Sequence, residues 1–172
     1  MQAKGRTKTT PVISFRSINS PGAAGYDPGL QRHHLLPRQL LSQRCFGAMF
    51  ETVGRSAVGF DDFRANGLLL PATEMATIRT GMPLHRGPHN RYNEVVITRV
   101  GRIEQRWSLA RRNDEAAALI EALLRLHLLQ GALRRQLLAQ RRRVLLNRNG
   151  PLGTGYDFSE LDAMADALWS AE

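Results

Sequence analysis

The chain of 172 residues is long enough for one hydrophobic core and too short for two full-sized domains. Lys and Arg exceed Asp and Glu by 24 − 15 = 9, and every cation except Lys4 and Lys8 is an arginine, which points to a polyanionic partner because the guanidinium fork matches phosphate oxygens; codon bias in a GC-rich genome also fits that excess. The single Cys45 excludes an intrachain disulfide and a cysteine-based zinc cluster, and neither a signal-peptide apolar core nor a run of about 18 apolar residues is found, so no membrane partner is expected.

Residues 1–25 carry Lys4, Arg6, Lys8 and Arg16 without an acid and are rich in Gly, Thr, Ser and Pro, which reads as a basic, flexible arm. Within it Val12-Ile13-Ser14-Phe15 is a short strand candidate. Leu30 to Leu36 forms a brief apolar stretch ended by Pro37. From Arg38 to Val53 the apolar Leu40, Leu41, Phe46, Met49 and Phe50 predict one helix, stopped by Gly54. Asp61-Asp62 is read as the cap of a turn after Phe60, in preference to a metal pair. Ala65-Asn66-Gly67 is the strongest turn signal, and Leu68-Leu69-Leu70 a strand ended by Pro71. Thr73 to Arg79 predicts a helical turn.

Gly87-Pro88 predicts a helix starting near Pro88 and continuing through Tyr92, Val95, Val96 and Val100. Residues 113–147 predict a long helix with Asn113 and Asp114 as candidate caps and a leucine stripe that packs on the rest of the protein or mediates self-association through residues 113–146. His127 among these leucines reads as structural, and Arg141-Arg142-Arg143 as a solvated face or a track for a phosphate backbone. The tail from 150 to 172 holds five acids and no Lys or Arg, and its 158–169 segment predicts an amphipathic helix.

Four of the five histidines fall into two pairs, His33-His34 and His85-x-x-x-His89. Residues four apart share a helical face and present two imidazoles to one cation if the segment is helical; Gly87-Pro88, however, places His85 ahead of the regular helix. A divalent ion needs a third protein ligand, which the adjacent pair supplies. Neighbours on a strand point to opposite faces, so both reach one site only through a bulge or a strand-to-turn transition, with which Pro37 is compatible; one of His33 and His34 then completes the metal site while its neighbour acts as general base near neutrality. The residues leave open which does which. Taken together they indicate a metal-dependent phosphodiesterase.

Gln31-Arg32-His33-His34-Leu35-Leu36-Pro37, Asn66-Gly67-Leu68-Leu69-Leu70-Pro71 and Leu84-His85-Arg86-Gly87-Pro88-His89-Asn90-Arg91-Tyr92-Asn93 together resemble the AHH-type nucleases of the HNH (His-Asn-His, ββα-metal finger) superfamily. The resemblance covers about residues 26 to 100. Arg32 departs from it, standing where the family name records alanine. The resemblance implies an α+β fold: a ββα-metal finger nuclease core at 26–100 with a helix inserted in its hairpin, after the 1–25 arm and before an α-helical extension at 101–172. By likeness to colicin-type members it implies His33, His85 and His89 as metal ligands and His34 as general base, with the two adjacent histidines open to exchange. Asn66 would orient His34 by accepting, through its side chain or its backbone carbonyl, from the second ring nitrogen, though in other branches the equivalent asparagine binds the metal instead; Arg86 and Arg91 would hold phosphate.

The expected activity is therefore endonucleolytic cleavage of DNA or RNA with one divalent ion, Zn²⁺, Ni²⁺, Mn²⁺ or Mg²⁺, in the cytoplasm or after delivery into another cell as a bacterial toxin. An immunity protein is the further partner such a role would bring. The alternative is a non-catalytic, zinc-stabilised nucleic-acid-binding module in which all four histidines are structural.

Overall fold

The structure is a computed structural model that describes residues 11–87 and 89–139, together with Leu146 and Pro151. Two short strands, β1 (Leu30–His34) and β2 (Gly67–Pro71), pair antiparallel, with Leu30 opposite Pro71 and His34 opposite Gly67. β2 ends at Pro71, which lacks the N–H that a ladder needs, and β1 gives way after His34 to the Leu35 and Leu36 N–H groups donating to Asn66, just before Pro37. Six α-helical segments accompany the pair among the described residues: α1 (Gly47–Val53), α2 (Arg55–Val58), α3 (Phe63–Asn66), α4 (Glu74–Thr80), α5 (Asn90–Ala110) and α6 (Glu115–Leu138). The class is mixed α+β, consistent with a ββα core.

The hairpin insertion is helical but not one helix. Residues 38–42 and 44–46 form separate 3-10 turns with extended Gln43 between them, and only Gly47–Val53 is α-helical. At about 100° per residue, Leu40 and Phe46 would face directions about 120° apart on one helix, yet both are buried in the same core. The break at Gln43 turns both inward. Gly54, at φ 84°, then stops α1 in a conformation few other residues adopt.

The 65–67 segment also differs from a plain turn. Asp62 caps α3 by accepting from the Arg64 N–H, as the capping reading of Asp61-Asp62 expects, and α3 runs straight into β2. Gly67 has an ordinary φ; its lack of a side chain serves a close approach, since a Cβ there would lie 2.2 Å from the Phe63 ring.

Helix α5 buries Tyr92, Val96, Arg99, Val100, Ile103 and Trp107, one stripe at helical spacing. Asp114 caps α6 by accepting from the Ala117 N–H. By length and composition α6 could cross a membrane, but Leu126, Leu129, Leu133 and Leu137 lie in the same buried cluster as the α5 stripe and Leu35, Leu36 and Leu40. Here it is a core helix. His127 is exposed on α6 with its Nε2 3.0 Å from the Ala57 carbonyl, a link to α2. Arg141-Arg142-Arg143 and the 158–169 segment lie outside the described residues.

Candidate metal centre

His33, His85 and His89 come from three places. His33 lies on β1, one residue before its end; His85 sits in the loop after α4, tied to β2 by a 2.6 Å hydrogen bond from its N–H to the Pro71 carbonyl; His89 is the residue before the first turn of α5. Hence His85 and His89 do not share a helical face. Their potential ligand nitrogens nevertheless lie within 4.8 Å of one another, with ring centroids 4.5 Å apart for His85–His89, 4.8 Å for His33–His85 and 5.4 Å for His33–His89.

Two of these rings carry a buried nitrogen that no group among the described residues satisfies: Nε2 of His33 and Nδ1 of His85. A buried polar atom without a partner costs about 1–3 kcal/mol, so two within one cluster call for an occupant. Burial, reinforced by the neighbouring imidazoles, holds His33 well below its ordinary pKa and brings His85 down to about 4; burial also lowers His89, opposed by a hydrogen bond with the Gly87 backbone. All three rings are thus neutral at neutral pH with lone pairs available, the state a cation requires. The donor set fits a divalent ion.

These shifts carry a stability consequence. Each group's folded-state pKa lies below its unfolded value of 6.5, so its contribution is intact above pH 6.5 and is lost as pH falls towards the folded value. The melting temperature of chelator-treated protein is expected to fall between about pH 6.5 and about pH 4 as His85 and its neighbours protonate. A flat profile over that window would contradict the burial of three neutral imidazoles.

Tyr92 fixes the strand beneath the cluster. Its ring packs edge-on to His33 at 4.9 Å, and its buried hydroxyl donates to the Leu35 carbonyl at 2.8 Å. Burial raises its pKa, so it stays a donor. The contacts of Tyr92 are those of packing.

His34 lies outside the three-histidine cluster. It is half-buried, its ring stacked on Phe15 with centroids 3.8 Å apart and planes 4° from parallel. Burial lowers its pKa, the Arg38 guanidinium adds to this, and Asp61, which pairs with Arg38 at 3.4 Å, opposes it. Neither Phe15 nor the Arg38–Asp61 pair was marked by local pattern as belonging to a site.

Asn66 is fully buried and bonded away from the imidazoles. Its Oδ1 accepts from the Leu36 N–H at 2.7 Å, its Nδ2 donates to the carbonyls of Leu36 and Phe60, and its own carbonyl accepts from the Leu35 N–H at 2.8 Å. Gln130 of α6 donates to the same Oδ1 at 3.3 Å. Among the described residues no hydrogen bond joins Asn66 to His34, unlike the expectation; Asn66 holds the backbone immediately after the histidine pair. Asn66→Ala strands the Leu36 N–H and two carbonyls in the core, and an unfolding titration is expected to record a loss of about 3 kcal/mol. A loss below about 1 kcal/mol would mean that water replaces the side chain.

Arg86 lies between His85 and His89 on the exposed loop, and Arg91 is exposed in the first turn of α5. Both are therefore exposed and close in sequence to His85 and His89.

Three neutral imidazoles, His33 buried and His85 and His89 partly buried, converge between a β-hairpin and the start of a helix and form a candidate site for a divalent ion. The family model that matches residues 14–130 describes a nuclease family of the HNH/ENDO VII superfamily with conserved AHH. The chain belongs to this AHH nuclease family, with Arg32-His33-His34 at the naming motif. No curated protein and no solved structure matches it at a significant level.

Proposed function

We propose that this nuclease is a metal-dependent endonuclease in which His33, His85 and His89 hold one divalent ion and His34 is the general base. The observation that carries the reading is the pair of buried, unpartnered nitrogens on His33 and His85, converging with His89 while His34 stays outside. That division also supports His33, not His34, as the ligand of the adjacent pair.

In the reaction, neutral His34 takes a proton from a water molecule as the water oxygen forms a bond to phosphorus and the bond to the departing 3′ oxygen breaks in line. The low pKa that burial and Arg38 impose keeps His34 unprotonated and ready to accept. Arg86 and Arg91 hold the non-bridging phosphate oxygens through their planar forks. A bound divalent ion supplies charge neutralisation at the phosphate and the leaving oxygen. Three imidazoles suit Zn²⁺ or Ni²⁺ better than Mg²⁺.

Digestion of plasmid DNA and total RNA across Mg²⁺, Mn²⁺, Ni²⁺ and Zn²⁺ tests this and identifies the substrate. Cleavage that a chelator stops is the expected result. Intact nucleic acid under every metal, with tight metal content and binding that weakens steeply with salt, would instead support the zinc-stabilised binding module. Growth arrest on expression in a bacterial host, relieved by His34→Ala, would support a toxin role.

A further inference from the structure

The assignment of His34 as base leaves unexplained what holds its ring. We infer that Phe15 is a positioning residue for His34 and that Arg32, the residue standing in place of the family's alanine, anchors it; this rests on His34 being the base.

The N-terminal segment is fastened along the part of β1 that carries Arg32 and His34, at the strand end next to His33. Arg32 and His34 lie on the same face of β1 and His33 on the other. Arg32 Nη1 donates to the Phe15 carbonyl at 2.9 Å and to the Arg16 carbonyl at 3.4 Å. The residues just before Phe15 are held as well. The Ile13 N–H donates to the Asp62 carboxylate, the Phe63 N–H donates to the Ile13 carbonyl at 2.8 Å, Ser14 forms a β-bridge with Asp62, and Arg64 donates to the Pro11 carbonyl.

The Phe15 ring is fixed from its other side by the edge of Phe63 at 5.2 Å. Phe63 in turn fills the space left by Gly67, the residue opposite His34 in the sheet. An alanine at position 32 has no group that reaches the Phe15 carbonyl.

The stacking geometry favours positioning over obstruction. The lone pair of an imidazole nitrogen lies in the ring plane, and Phe15, 4° from parallel, covers only a face. Its stacking therefore limits tilting of His34 without itself covering the nitrogen edges of the ring. Rate depends steeply on such alignment, with misplacement by about 1 Å costing about 100-fold.

The test measures kcat and KM separately on a short fluorogenic oligonucleotide with the metal-loaded full chain. Phe15→Leu, of similar bulk but without a flat face, is expected to lower kcat about 10- to 100-fold at unchanged KM and metal content. Phe15→Tyr, which keeps the face, is expected to restore kcat to within about threefold. Arg32→Ala removes only an exposed side chain and is expected to lower kcat about 3- to 10-fold; it decides the matter even if Phe15→Leu does not fold. In a His34→Ala background, Phe15→Leu is expected to add no further loss to the residual cleavage.

Wild-type kcat in Phe15→Leu or in Arg32→Ala, a change confined to KM, or an equal further loss in the His34→Ala background would overturn the inference. His34→Ala run alone separates the two levels. Full activity there removes the base assignment itself, whereas loss there with wild-type kcat in Phe15→Leu removes only the positioning role.

Discussion

His34→Ala is expected to reduce cleavage about 10²- to 10⁴-fold, the range a positioned general base contributes, while metal content stays at the wild-type level. Both halves follow from where the ring sits. His34 is half-buried beyond the three-nitrogen cluster, so its removal takes away a proton acceptor without taking away a ligand. The fold is expected to survive, because the imidazole gives up a single aromatic stack, worth about 0.5–1.5 kcal/mol beyond its buried area. His33→Ala gives the contrasting pattern. Loss of metal with His34→Ala, and retention of it with His33→Ala, would reverse the two roles.

His85→Ala is expected to remove metal and activity together. Losing groups one step behind the ligands already costs about 10- to 100-fold in affinity, and losing a ligand is expected to exceed that. His85 is the better ligand to test than His33: it lies on a partly buried loop, whereas His33 is 2% exposed and packed on Tyr92. The substitution also removes a buried nitrogen that lacks a partner. Metal-free His85→Ala is therefore expected to be at least as stable as the metal-free wild type, and less stable once metal is added, because only the wild type gains binding energy in its folded state. Retention of stoichiometric metal by His85→Ala, measured by elemental analysis after gel filtration, would remove His85 from the centre.

What the sequence made legible was local. Pro37 and Pro71 mark the ends of the apolar runs that become the hairpin, Asp114 marks the start of α6, and Gly87-Pro88 marks why His85 precedes α5. Each of these signals acts through its own backbone and needs no distant partner. The break in the 38–53 insertion was hidden because its apolar residues satisfy a helix only if their common core is ignored. The role of Gly67 was hidden for a related reason: the sequence shows an Asn-Gly turn pair, but the space it leaves is filled by Phe63.

The site was less legible wherever its contacts span long stretches of chain. Gln130 reads as an interruption of a leucine stripe, yet it reaches Asn66, 64 residues away. Phe15 lies in a segment whose composition suggests an arm, and its stack on His34 depends on Arg32, Asp62 and Phe63 holding that segment down. No periodicity records such a pairing. Arg32 was visible as a departure from the family motif, and its consequence emerged only when its hydrogen-bond partners were known.

Metal add-back to chelator-stripped protein, followed by plasmid and RNA cleavage, tests the central claim most directly. The three-histidine centre predicts no cleavage in the stripped protein, recovery that saturates at about one ion per chain, as befits a single three-ligand site, and no recovery in His85→Ala at the same ion concentration. Cleavage that persists after stripping, or that returns equally in His85→Ala, would contradict it.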